Sequence, residues 1–174
     1  MFSIVIVYNN TDILKNWILE SLKNQTVQYE LILLDNSDNK YLSASHALNS
    51  GLKIATQKYL MCIHQDVTLI GRDFLEKTES MLNKLDCLGL AGVAGMSDRS
   101  IEYNNNMRNI ILQGHPFAET WGNKIDNPEE VQTIDECLMI IPFNIYKNVK
   151  FDENTCDDWH LYGVDFSLTV NKLG

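Results

Sequence analysis

Three short polar clusters, each set directly behind an apolar run, are the parts of this sequence best suited to chemistry: Tyr8-Asn9-Asn10, Asp35-Asn36 and His64-Gln65-Asp66. Asp66 is the kind of hard ligand that holds Mg2+ or Mn2+ when a substrate's phosphates complete the shell. His64 lies two residues away and would share a face with Asp66 on an extended strand. An imidazole near the ion would shift its selectivity toward Mn2+. Acids and asparagines behind strands are also ordinary turn formers. Taken alone, His64 reads more simply as a hydrogen-bonded, partly buried histidine. No GxGxxG follows the first apolar run and no GxxxxGK[ST] is present, so dinucleotide and P-loop chemistry fail at their first test.

The elements that must position these clusters alternate in type. Ile4 to Tyr8, Leu31 to Leu34 and Tyr59 to Ile63 are apolar runs with strand character. Between them, Ile13, Leu14, Trp17, Ile18 and Leu22 recur at helical spacing, with Thr11 as the expected cap and Asp12 in the first turn. Ala44, Ala47, Leu48, Gly51, Leu52 and Ala55 make a second helical stripe of small residues, suited to close approach to a sheet. The order strand, helix, strand, helix, strand predicts right-handed crossovers and a parallel sheet. In such sheets ligands bind outside the carboxyl ends of the strands, so Tyr8, Asp35 and Asp66 are expected to converge. Phe74 to Leu85 predicts another helix and Leu90 to Ala94 a fourth strand. Residues 97–132 are polar and weakly periodic, as in long loops or short strands of the kind that form a substrate cover. Cys137 to Ile141 reads as a late strand, Pro142 as the start of a helical turn, and Trp159 to Leu173 as a helix.

Composition narrows the partners. The 174 residues fit one domain, and 45% hydrophobic with 21% charged residues exclude wholesale disorder. A net charge of −9 gives no cationic stripe for nucleic acid, and an acidic chain that binds a diphosphate needs a cation to do so. The 4 cysteines show no CxxC spacing and read as reduced thiols. With no basic leader and no apolar run near the roughly 20 residues of a membrane span, the expectation is a cytoplasmic protein, with peripheral association at the inner face of a membrane left open.

The same residues carry a resemblance. Ser3 to Asn10 resembles the opening strand of family-2-type glycosyltransferases with the GT-A fold. Ser21-Leu22-Lys23-Asn24-Gln25-Thr26 is similar to that family's SLxxQT helix end, and Leu33 to Ser37 to its VVDDGS strand end. Ala47 to Gly51 resembles ARNxG, and Ala55 to Asp66 resembles AxGxYIxFLDxD, so that His64-Gln65-Asp66 stands at the DXD position. The likeness resumes at Asp135 to Ile141 and at Tyr162 to Leu168, the latter similar to GEDxDL.

The resemblance implies an α/β, three-layer Rossmann-like GT-A fold with a mostly parallel central sheet. It divides one domain into a nucleotide-sugar-binding half (1–95) and an acceptor or catalytic half (96–174), which is short for the family at its C-terminus. It further implies a nucleoside-diphosphate-sugar donor, a divalent metal (Mn2+ or Mg2+), a glycan or lipid-linked acceptor and inverting transfer. Donor binding would fall on Tyr8, Asn9, Asp35, Asn36, His64 and Gln65, metal binding on Asp66, with His160 either a further ligand or packed beside Trp159, and the general base on Asp165. Two departures stand out: His64 replaces the first DXD acid, and Val164 the glutamate of the ED pair. They leave open a non-catalytic nucleotide-sugar-binding or scaffold domain. A response-regulator-like module would not account for Tyr162 to Leu168. Asp157-Asp158 read best as helix-capping acids, with acceptor contact as the alternative, Trp121 and Trp159 as packing residues or sugar platforms, and Lys53, Lys58 and Arg72 as a solvated face. His115 is a weak candidate for the acceptor side.

Overall fold

A computed structural model describes residues 1–97, 106–114 and 119–173; His115 lies outside the described residues. Strand β1 (Phe2–Tyr8) leads into helix α1, residues 11–22, whose turns Thr11–Leu14 and Glu20–Leu22 flank a π-helical turn at Lys15–Leu19. The cap is Asn10, whose Oδ1 accepts from the N–H groups of Asp12 and Ile13. Thr11, expected in that role, is the first helical residue; the asparagine one place earlier already satisfies the orphan donors. Strand β2 (Glu30–Asp35), helix α2 (Ala44–Leu52) and strand β3 (Tyr59–Ile63) follow the predicted order. Helix α3 (Phe74–Leu82) buries Leu75 and Leu82 and leaves Met81 exposed.

The main sheet has the order β2-β1-β3-β10-β4, with β4 at Ala91–Gly92 and β10 at Leu138–Pro142. β1 pairs in parallel with β2 and β3, whereas β10 runs antiparallel to both β3 and β4. The sheet is therefore mostly parallel, with one reversed strand inside it. From β1 the chain crosses to β2 on one side and then to β3 on the other, which puts the topological switch point between β1 and β3.

Strand alternation sorts the core into two layers. Phe2, Ile4, Ile6, Met61, Ile63 and Leu138 pack with Leu14, Ile18 and Leu22 of α1 and with Leu75 and Leu82 of α3. Val5, Leu60, Cys62, Met139 and Ile141 pack with α2 and with Tyr162, Phe166 and Val170 of the last helix. The helix-sheet-helix layering follows from strands that are apolar on both faces.

The predicted fourth strand is cut short because Gly95–Met96 (β5) leaves the main sheet. It pairs with β6 (Met107–Arg108) and β9 (Thr133–Ile134) in a small second sheet. β7 (Ile111–Gln113) and β8 (Glu119–Trp121) form a two-stranded antiparallel pair, and Trp121 is exposed there. Pro142 ends β10 and stands just before helix α4 (Phe143–Asn148). Helix α5 (Tyr162–Asn171) starts later than its sequence pattern, with Trp159 and His160 outside it. The described residues contain no helix long and apolar enough to cross a membrane, and all four cysteines are free.

The small-residue stripe of α2 is buried as expected, and Gly51 shows why it is small. A Cβ there would sit 2.7 Å from Val5 Cγ1 and 2.9 Å from Leu34 Cδ1. Gly51→Val should therefore destabilise the fold by about 1–3 kcal/mol through overpacking. A urea melt checks this, and an unchanged midpoint would mean that α2 has room to spare over β1 and β2.

Candidate functional site

The three strand ends meet, but not all of their side chains are free. Tyr8 Oη donates to Asp35 Oδ2 at 3.1 Å, and Asp35 Oδ1 accepts from the Ser37 hydroxyl at 2.6 Å and the Ser37 N–H at 2.8 Å. The Ser37 bonds, with that from Tyr8, hold the Asp35 carboxyl below its ordinary value. Desolvation first, then the bond to Asp35 and its charge, push the Tyr8 phenol up. The pair thus stays a protonated phenol on a carboxylate through neutral pH.

Asn36 and Gln65 both line the cleft and brace its loops. Asn36 is buried, with Oδ1 accepting from Tyr41 N–H at 2.7 Å and Nδ2 donating to Tyr41 O at 3.2 Å, which closes the loop after β2. Gln65 Oε1 accepts from the N–H groups of Asn9 and Asn10 at 3.2 and 3.1 Å, while Nε2 donates to Asn9 Oδ1 at 2.8 Å. The amide of Gln65 thus ties the ends of β1 and β3 together across the switch point.

β3 stops at Ile63, and Gln65-Asp66 form a turn closed by Val67 N–H to His64 O at 3.4 Å. His64 and Asp66 therefore do not share the face of an extended strand, which corrects the sequence expectation: the chain bends before the alternation can operate. The His64 ring instead lies 2.9 Å from the Tyr162 hydroxyl, from Nε2 to Oη. Burial first, and then the charge of Glu136, raise the Tyr162 phenol, so it stays protonated.

Together these residues line a cleft of about 350 Å³ that includes Tyr8, Asn9, Asn36, His64, Gln65 and Asp66. Glu136, Trp159 and Tyr162 line it from the other side. Such a volume lies within the range of ligand-binding clefts. Glu136 was not singled out by its sequence. It is half-buried just before β10, and its Oε1 accepts from Gly163 N–H at 2.8 Å, in the first turn of α5. Burial raises its carboxyl, and the Gly163 bond and the nearby His64 and His160 act against that rise.

Asp35 sits beside the cleft and touches it through Tyr8. Asp165 lies in the first turn of α5, partly exposed and outside the cleft lining; among the described residues no hydrogen bond or ion pair engages its carboxylate. His160 is exposed and also outside the lining. Asp157 and Asp158 do not cap α5, which correction follows from the chain path. Leu161, in the left-handed region at φ 66, separates them from the helix, and Asp158 Oδ1 accepts from Trp159 N–H instead. A leucine there costs about 1–2 kcal/mol.

Among the described residues no three His, Cys, Asp or Glu side chains converge as a ready-made metal site. Asp66 is exposed, and no hydrogen bond or ion pair among those residues engages its carboxylate. That donor set fits a hard cation held by one carboxylate and mainly by substrate oxygens.

A larger groove of about 790 Å³, lined in part by Lys53, Phe143, Lys147 and Lys150, lies elsewhere. Phe143 follows Pro142, which pairs with the first residue of β3, so this groove is at the amino edge of the parallel strands, away from the converging loops.

Comparison with curated protein sequences finds no match. Among solved structures, the chain is similar to the mannosyltransferase PcManGT from Pyrobaculum calidifontis in complex with GDP-Man and Mn2+. The TM-score is 0.60 at 13% identity, over 90% of this chain and 49% of that one. It is also similar to TarS residues 1–349 from S. aureus, with a TM-score of 0.59 at 13% identity, over 97% of this chain and 54% of that one. The chain spans about half the length of these structures, and at such identities the likeness shows the fold, a GT-A fold with a mostly parallel sheet. A family model described as a glycosyltransferase-like family matches residues 3–174, and the chain belongs to that family.

Proposed function

We propose that the chain transfers a sugar from a nucleoside-diphosphate sugar to an acceptor hydroxyl, with inversion and with the help of a divalent cation. The observation that carries this reading is the convergence of Tyr8, Asn9, His64, Asp66 and Glu136 on one cleft at the carboxyl edge of the sheet. Asp35, with Tyr8, receives the nucleoside. Asp66 would hold Mn2+ or Mg2+ together with the donor's phosphates, and such a cation supplies neutralisation of the diphosphate charge. Gln65 and Asn36 act indirectly, by fixing the loops that shape the cleft.

In the transfer, the acceptor oxygen forms a bond to the anomeric carbon as the bond from that carbon to the diphosphate oxygen breaks. The bonding pair leaves with the diphosphate. Asp165 accepts the hydroxyl proton from the acceptor side, in keeping with its partly exposed, unbonded carboxylate. The acceptor is a glycan or a lipid-linked saccharide, reached either in the cytoplasm or at a membrane surface.

A thermal-shift panel of UDP-, GDP- and dTDP-sugars, each with and without Mn2+, tests the donor reading. One base is expected to raise Tm in a Mn2+-dependent manner, following RT ln(1 + [L]/Kd). No shift with any nucleotide would overturn the reading.

A further inference from the structure

The cleft contains an acid that neither the nucleoside, nor the phosphates, nor the proton transfer accounts for. Glu136 precedes β10, and because β10 runs antiparallel its beginning lies on the same edge as the ends of β1, β2 and β3. His64 N–H donates to Cys137 O at 3.1 Å, which sets Glu136 one strand beyond the His64-Gln65-Asp66 turn. Along this edge the side chains therefore come in the order Asp35, Tyr8, His64 to Asp66, Glu136, over three strand spacings of about 4.8 Å each. A nucleoside-diphosphate sugar laid along that line, nucleoside at Asp35 and diphosphate at Asp66, brings its sugar to Glu136.

The carboxylate is built into place. Its Oε1 is held by the Gly163 N–H in the first turn of α5, where the helix dipole favours a negative charge. A Cβ on Gly163 would stand 2.6 Å from Glu136 Cγ, so the acid has its position only because residue 163 has no side chain. Among the described residues nothing bonds Oε2. Trp159 also lines the cleft and supplies an aromatic surface to it. An acceptor oxygen and an aromatic ring lining one cleft are suited to the hydroxyls and C–H face of a sugar.

We propose that Glu136 is the specificity-determining residue for the donor sugar, accepting a hydrogen bond from one of its hydroxyls. This rests on the donor reading above and goes beyond it by assigning the sugar subsite and its chemistry: a hydroxyl donor is required at that position, and a deoxy sugar is disfavoured there.

The test separates the sugar from the rest of the donor. Dissociation constants for GDP and GDP-mannose, UDP and UDP-glucose, and dTDP and dTDP-glucose are measured by calorimetry in Mn2+ for wild type, Glu136→Gln and Gly163→Ala. For the base that binds, Glu136→Gln should weaken the sugar nucleotide about 10- to 100-fold, as expected for loss of a hydrogen bond to a charged group, and leave the free diphosphate unchanged. Gly163→Ala, which keeps the acid but displaces it, should show the same selective loss. Equal losses for sugar nucleotide and free diphosphate, or no loss in either variant, would overturn the assignment while leaving the donor reading intact. Wild type binding none of the six compounds would overturn the donor reading and the assignment with it.

Discussion

Asp165→Asn is expected to lower kcat by about 10²- to 10⁴-fold, the usual worth of general-base assistance, while the donor Kd stays near wild type. The acceptor hydroxyl loses its proton only as the new carbon–oxygen bond forms, so the base is needed in the transition state and not in the ground state. Asp165 suits this because its carboxylate is partly exposed and unbonded among the described residues. It stands outside the cleft lining. A loss of kcat alone would separate Asp165 from Glu136, whose removal should appear in donor affinity. Unchanged turnover in Asp165→Asn would remove Asp165 from the mechanism.

Asp66→Ala carries the second large effect, a fall in turnover of about 10²- to 10³-fold with loss of any dependence on Mn2+. The comparison is with removing one group that stabilises charge developing in a transition state. Asp66 is exposed and unbonded among the described residues, so the substitution should leave Tm unchanged without ligand. The net charge of −9 adds to the effect, since a diphosphate brought to an acidic protein is repelled unless a cation intervenes. Retained Mn2+ dependence in Asp66→Ala would place the cation on other residues.

What the sequence made legible is what local pattern encodes. The ends of β1, β2 and β3 stand where apolar runs stop, and the α2 stripe is helical because its small residues repeat at the right interval. The hydrogen bonds of Asn36 and Gln65 were not legible, because an amide that braces a loop looks like any other until its partners are in place. The turn at Gln65-Asp66 likewise broke the strand alternation on which the pairing of His64 with Asp66 depended.

Glu136 escaped for a different reason. Residues behind strands mark the binding edge only for parallel strands, and the reversed direction of β10 puts the residue before the strand on that edge. Asp135-Glu136 ahead of Cys137 to Ile141 was the available signal, but nothing in one sequence states which way a strand runs. The shape of 157–161 was hidden too, since it turns on Leu161 holding a left-handed conformation that leucine seldom adopts.

The measurement that bears most directly on the account is release of nucleoside diphosphate from the donor that binds, followed with and without Mn2+ and acceptor saccharides, in wild type and Asp66→Ala side by side. The account predicts release by wild type that requires Mn2+, rises when acceptor is added and collapses in Asp66→Ala. Tight, metal-dependent donor binding without any release by wild type would contradict it, and would make the chain a nucleotide-sugar-binding member of its family that has kept the fold and lost the reaction.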